Sequence, residues 1–265
     1  MHSRFQLAKK YFRYYFKASN AKGHGVHSPF VFNFIKFILN DRNLYPEYRK
    51  IEMVRHHLLQ NKFVLKVEDL GAGSVVSTFK RKSIAQIARH TSKPRKYAQL
   101  LYRLTHYYQP KLTLELGTSL GISTAYMALG NPEGKVITME GAKQVAHVAG
   151  DIFRQLKLSN IELIDGNFDE QLPALLNRLD TVDMVFMDGN HRKEPTLRYF
   201  QLLLSKINKD SIVIIDDIRW SEEMEEAWEM IKSHPSVKVT VDLFFLGVVF
   251  FRDDFKMKQH FTIRY

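Results

Sequence analysis

Leu112-Thr113-Leu114-Glu115-Leu116-Gly117-Thr118-Ser119-Leu120-Gly121-Ile122-Ser123-Thr124 is the stretch that decides the fold. A short β-prone run, Leu112 to Leu116, breaks at Gly117. A second glycine follows four residues later, and a helical stretch begins after it. Strand, glycine-containing turn and helix in that order predict the first βα unit of an open parallel sheet, where ligands sit at the carboxyl ends of the strands. Gly117 and Gly121 let the backbone turn tightly and approach a ligand closely.

The same alternation continues downstream. KVITM (135–139), NIELI (160–164), VDMVFM (182–187) and SIVIID (211–216) are further strand-like runs, each separated from the last by a stretch long enough for a crossover helix. VKVTV (237–241) and GVVFF (247–251) are joined by only Asp242 to Leu246, a connection that suits an antiparallel hairpin and not a crossover. The expectation is an α/β fold: a Rossmann-like, doubly wound sheet of five parallel strands plus a C-terminal antiparallel β-hairpin. Upstream, the pattern is mostly helical. Helices are predicted over Arg4 to Lys17, from the Ser28-Pro29 start, over Pro46 to Asn61, and over about 79–91 and 94–108. Gly23 and Gly25 interrupt the first two. His27, beside the Ser28 cap, is read as a structural residue. The division expected from this pattern is a basic helical region, residues 1–108, and an α/β domain, residues 109–265.

Composition bounds the chemistry. The chain has 265 residues, 45% of them hydrophobic, enough for a sizeable core. It has no cysteine, which removes disulfides, cysteine-ligated zinc and cysteine nucleophiles. The longest apolar run, Leu243 to Phe251, is half of what a membrane-spanning helix needs, and no signal-peptide pattern precedes it, so a cytoplasmic location is expected. Residues 1–110 carry 21 Lys/Arg against 5 Asp/Glu, whereas residues 111–265 carry 18 against 23. The basic part suits a solvated helical surface, or a face for nucleic acid, anionic lipid or an acidic substrate.

The strand KVITM runs into Glu140, whose carboxylate can accept two hydrogen bonds from ribose hydroxyls. A nucleoside-containing cofactor fits a glycine loop and this acid together. The dinucleotide fingerprint is not met, because Ser119 and Ile122 stand at its second and third glycine positions, and there is no phosphate-binding G-x-x-x-x-G-K-[ST] loop. At this point the sequence resembles the class I S-adenosylmethionine-dependent methyltransferases, through ELGTSLGIST and Glu140. It is most similar to the small-molecule O-methyltransferases of the catechol and caffeoyl-CoA type, over about residues 100–252. The resemblance implies that Glu115, Gly117, Thr118, Ser119, Gly121 and Ser123 line the methionine and sugar of S-adenosylmethionine. It also implies that Glu140 holds the ribose, that Gly166 and Asn167 lie beside the adenine, and that Asp188 contributes. Asp69-Leu70-Gly71-Ala72-Gly73-Ser74 also looks like such a loop, but a basic helical stretch follows it, so it is read as a turn.

Asp188, Asp216 and Asp217 fall at the ends of the fourth and fifth strands. Carboxylates converging there repel one another unless a cation or proton intervenes. By resemblance to the catechol-type enzymes these three positions bind a divalent cation, with Mg²⁺ suited to oxygen ligands. Two departures stand out: Asp217 replaces the usual Asn, and His191 replaces the lysine expected three residues after Asp188. Histidine can act as a general base near neutral pH. The alternative for this group is that Asp188 contacts the cofactor and Asp216 or Asp217 caps a turn. Trp220, Trp228 and the aromatics near the start of the chain could wall a substrate, although core packing is the plainer role. Glu222 to Glu229 read as the exposed first turns of a helix.

The fourth strand is followed by Asp-Gly-Asn-His and not by the Pro-Pro-aromatic motif of amino-group methyltransferases, which leaves an oxygen nucleophile. The expected activity is O-methylation of a small molecule. Two alternatives are an RNA methyltransferase that docks through the basic half, though nucleic acid is not the favoured partner, and a non-catalytic protein that keeps the fold. The acceptor's identity and the oligomeric state, a homodimer included, are left open.

Overall fold

The computed structural model describes residues 2–19, 27–69 and 78–265. These fall into two compact units, Arg42–Asn177 and a discontinuous one formed by Met1–Asp41 with Arg178–Tyr265. These compact units are bounded differently from the division expected from the sequence pattern, residues 1–108 and 109–265.

In the continuous unit, α3 (Pro46–Gln60) begins on a proline at its first position. A hairpin follows, β1 (Val64–Asp69) antiparallel to β2 (Thr78–Ser83). It corrects the expectation of a helix over 79–91. Residues 78–83 pair with β1 first, and Ser83 then caps α4 (Ile84–Thr91) by accepting from the Gln86 N–H, while the Gln86 side chain accepts from the Ser83 N–H. Of the second glycine loop, Asp69 ends β1 and residues 70–74 lie outside the described residues, as do Gly23 and Gly25. α5 (Arg95–Tyr108) leads into β3 (Leu112–Leu116), which pairs in parallel with β4 (Lys135–Glu140), itself parallel to β5 (Ile161–Asp165). The crossovers are α6 (Ile122–Gly130) and α7 (Lys143–Gln155), and α8 (Phe168–Leu176) follows β5. Gly130 lets α6 lie against α5: a Cβ there would stand 2.6 Å from the Tyr102 carbonyl oxygen. The core joins Ile51 and Val54 of α3, Ala98 and Tyr102 of α5, Ala125 and Tyr126 of α6, and Ile152 and Phe153 of α7. Helix periodicity put these residues on single faces, and their burial is what holds the short helices in place.

In the discontinuous unit, β6 (Met184–Met187) and β7 (Ile212–Ile215) are parallel. β9 (Gly247–Phe250) runs antiparallel to β7 and to β8 (Val239–Asp242), which is the expected hairpin. β10 (Gln259–Thr262) adds in parallel beside β8, a strand the sequence did not predict because QHFT carries little hydrophobic alternation. The helices are α1 (Arg4–Lys17), α2 (Pro29–Phe34, continuing as a wider π turn to Leu39), α9 (Lys193–Leu203) and α10 (Glu222–Ser233). Gly247 sits under Trp228, where a Cβ would stand 2.6 Å from the indole, and Trp228 is core, as its plainer reading had it. Every strand residue of β6, β7, β8 and β9 is buried. With three parallel strands in one unit, two in the other and the C-terminal hairpin, the chain has the expected α/β class. No helix among the described residues is long and apolar enough to cross a membrane.

Candidate active site

The glycine loop leaves β3 through a sequence of left-handed residues. Gly117 has φ 109°, Ser119 has φ 46° and Gly121 has φ 78°. The N–H groups of Gly117 and Thr118 both donate to the Met139 carbonyl near the end of β4, at 3.0 and 2.9 Å. Gly121 closes the turn by donating to the Thr118 carbonyl, and it stands directly before α6. A Cβ on Gly121 would lie 2.5 Å from the Phe153 ring, so glycine is required there by space as well as by φ.

Beneath the loop, Glu115 is fully buried. One carboxylate oxygen accepts from Ser123 Oγ at 2.6 Å, and the other accepts from Thr124 Oγ1 and from Thr138 Oγ1 at 2.6 Å. Thr138 has a single hydroxyl proton, so the 2.6 Å contact between Thr118 and Thr138 is donated by Thr118. Burial pushes the Glu115 pKa up, and the three hydroxyl donors oppose it. Glu115 and Ser123 were both expected to line the cofactor; here Glu115 has no exposed surface, and the Ser123 hydroxyl is turned onto it. The pair braces the loop from below.

Glu140 comes next along the sheet. Its Oε2 accepts from the Ser119 N–H at 2.7 Å and its Oε1 from the Ala142 N–H at 2.9 Å. Burial raises its pKa and the backbone donors lower it. Gly166 (φ 132°) donates to the Glu140 carbonyl at 2.9 Å, so the turn after β5 lies beside the acid. Asn167 caps α8 by accepting from the Asp169 N–H. Sequence reading missed three polar partners: Thr124, Thr138 and Thr91. Thr138 was detectable as the one hydroxyl inside an apolar strand. Thr91, whose hydroxyl lies 2.6 Å from Ser119 Oγ, had no signal, because it arrives from a helix 28 residues earlier.

The acidic group lies in the discontinuous unit. The Asp216 N–H donates to the Met187 carbonyl, which ties the ends of β6 and β7 together. Asp188, His191 and Asp216 each present a ligand atom, all within 4.8 Å of one another. His191 Nε2 is 3.6 Å from Asp188 Oδ1. Asp217 is not in that group. It takes a left-handed conformation (φ 53°) where the chain leaves β7, and its carbonyl accepts from the Trp220 N–H. The clustered set is therefore two carboxylates and an imidazole, in place of the three carboxylates expected. Asn190, also left-handed at φ 60°, donates to the Tyr199 hydroxyl and shapes the turn that carries His191.

Residues 114–218 match a family model described as a methyltransferase domain. The chain is 33% identical over 126 residues to a catechol O-methyltransferase of Niastella koreensis, a match covering 46% of this chain and 55% of that one. It is 36% identical over 110 residues to a transmembrane O-methyltransferase homolog of Rattus norvegicus, covering 40% and 42%. The chain thus spans about half the length of the curated relatives it matches. Among solved structures, the S-adenosylhomocysteine-bound Podospora anserina methyltransferase PaMTH1 aligns over 96% of this chain and 98% of its own, with a TM-score of 0.61 at 12% identity. The O-methyltransferase TomG from Streptomyces achromogenes, in complex with S-adenosylmethionine, aligns over 61% and 82%, with a TM-score of 0.54 at 19% identity. These structures share the fold, and the segment Leu114 to Ile218 is the part of the chain that matches the methyltransferase-domain model. The resemblance read from ELGTSLGIST is the one the comparisons return.

Proposed function

We propose that the protein is an S-adenosylmethionine-dependent methyltransferase that transfers the methyl group in line to an oxygen of a small molecule. The observation that carries this is the glycine loop locked onto Glu140. Three left-handed residues shape the loop, and the Ser119 N–H fixes the acid against it.

The residues fit the cofactor. The Glu140 carboxylate already accepts from backbone N–H groups of Ser119, Ala142 and Gly141, which fix its orientation, and its remaining lone pair would accept from a ribose hydroxyl. Gly117, Thr118, Ser119 and Gly121 supply the backbone against the methionine and sugar, and Gly166 and Asn167 flank the adenine. The cofactor supplies an already activated methyl sulfonium. What remains for the protein is placement of the acceptor oxygen and removal of its proton. We assign His191 as the base, with Asp188 orienting its ring.

The clustered group also fits a divalent cation, since atoms within 4.8 Å of one another can share an ion at about 2.0–2.6 Å. Asp188 and Asp216 would hold it, and His191 is close enough to join them. A bound cation would lower the pKa of a substrate hydroxyl. We further propose that the basic region, residues 1–108, supplies a lid, a substrate cap or a dimer surface.

Calorimetric titration with S-adenosylmethionine, with and without Mg²⁺, tests the reading. Micromolar binding, followed by methylation of a catechol-type acceptor, is expected. Absence of binding in both conditions overturns it, and transfer only to RNA replaces the acceptor class.

A further inference from the structure

The helix α1 has two unlike faces. One is docked. Tyr11 and Tyr14 pack on Phe244 with ring centroids 5.0 and 5.1 Å apart, and the buried Tyr14 hydroxyl donates to the Ile263 carbonyl. Lys10 Nζ bridges to Glu225 at 2.8 Å, and a capping box of Ser3 and Gln6 fixes the start of the helix. The opposite face carries Phe5, Phe12 and Phe16, which are 80%, 62% and 76% exposed. At i, i+7 and i+11 they form one stripe, about 16 Å long at 1.5 Å per residue. Exposed Lys9, Arg13 and Lys17 run beside it at i, i+4 and i+8, and exposed Arg4 lies on its other side. The helix has no acidic residue.

This is the reverse of what water selects. Packing buries the ring that bears a hydroxyl, Tyr14, while three rings without a polar atom stand in solvent. A row of exposed apolar rings edged by cations fits a surface that is apolar inside and anionic outside. We infer that α1 is a docking face for an anionic lipid bilayer. The three phenylalanines enter the acyl boundary, and Arg4, Lys9, Arg13 and Lys17 meet the headgroups.

Charge argues against a second copy of this chain, because a two-fold pairing through the stripe would bring its cations against their equivalents. Single-stranded nucleic acid is bound by grooves lined with stacking rings, whereas this stripe stands on the convex side of a docked helix. The inference is independent of the proposed methyl transfer.

The test is co-sedimentation of the full chain with vesicles of phosphatidylcholine alone and of phosphatidylcholine mixed with phosphatidylglycerol. Binding is expected to the mixed vesicles and to fall with salt. The triple variant Phe5→Ser, Phe12→Ser, Phe16→Ser should bind about tenfold or more weakly. The variant Arg4→Gln, Lys9→Gln, Arg13→Gln, Lys17→Gln should lose the preference for the anionic lipid. All the changed side chains are exposed, so unchanged thermal melts are expected and show that the fold is kept. The inference is overturned if the native chain stays in the supernatant with mixed vesicles, or if the serine variant binds them as well as the native chain does. It is also overturned if the serine changes abolish a dimer or the binding of a single-stranded oligonucleotide while leaving vesicle binding intact.

Discussion

The backbone N–H of Ser119 donates to Glu140 Oε2 at 2.7 Å, across 21 residues of sequence. The acid that would hold the ribose is thus also the anchor of the loop that would hold the methionine. Glu140→Ala should therefore weaken S-adenosylmethionine binding twice over, by about 10–100-fold, since lost charge-assisted hydrogen bonds are worth about 1.5–3 kcal/mol. Calorimetry decides it, and unchanged affinity removes Glu140 from the site.

Gly121→Ala places a methyl group against Phe153 at a φ of 78°. Strain and clash together should cost about 1–3 kcal/mol and lower the melting temperature. In the double variant with Phe153→Leu the clash is relieved and the strain is not, so recovery should be partial. Full recovery would show that φ is not a constraint there.

Glu115 predicts a pH dependence. Burial raises its folded pKa above the ordinary value of 4.5. The stability it contributes is fully present below the unfolded value and is lost as pH rises through the folded one. Thermal melts of Glu115→Gln should therefore fall less, as pH rises above 4.5, than those of the native chain. Parallel curves would mean that another group titrates. Glu115→Ala should cost about 2–4 kcal/mol at low pH, and less as pH rises, because it leaves the buried Ser123, Thr124 and Thr138 hydroxyls without their acceptor.

His191→Ala should lower turnover by about 10²–10⁴-fold with cofactor affinity retained, the range for loss of a general base. A variant that turns over normally ends the assignment.

Asp216→Asn and Asp217→Asn separate the clustered carboxylate from its neighbour. The first should abolish the response of activity to chelator and Mg²⁺, and the second should leave it in place. Loss of the response in both variants would restore the three-carboxylate set.

The strands around the glycine loop were legible because each is a short apolar run ended by a glycine or an acid. β3 and β4 begin and end within a residue of their expected limits. β1, β2 and β10 were not legible. KRK within β2 and QH within β10 are polar, and their pairing is decided by partners distant in sequence, not by local pattern. The same limit applied at the site. Glu140 and Asp216 announce themselves by standing at strand ends. Whether Glu115 faces a ligand or three hydroxyls depends on which side of β3 it occupies. That Asp217 parts company with Asp216 depends on a single left-handed residue.

The discontinuous unit has a consequence for the chain as it is synthesised. Residues 42–177 form a continuous compact unit, all of whose elements are made before residue 178. The partners of α1 are Phe244 and Ile263, and Ser19 bridges to Ile263 beside β10. During translation, therefore, α1 waits with both its aromatic faces bare until Phe244 and Ile263 emerge. That interval is when a nascent-chain chaperone would be needed, and a ribosome stalled before residue 240 should expose α1 to protease while 42–177 is already protected.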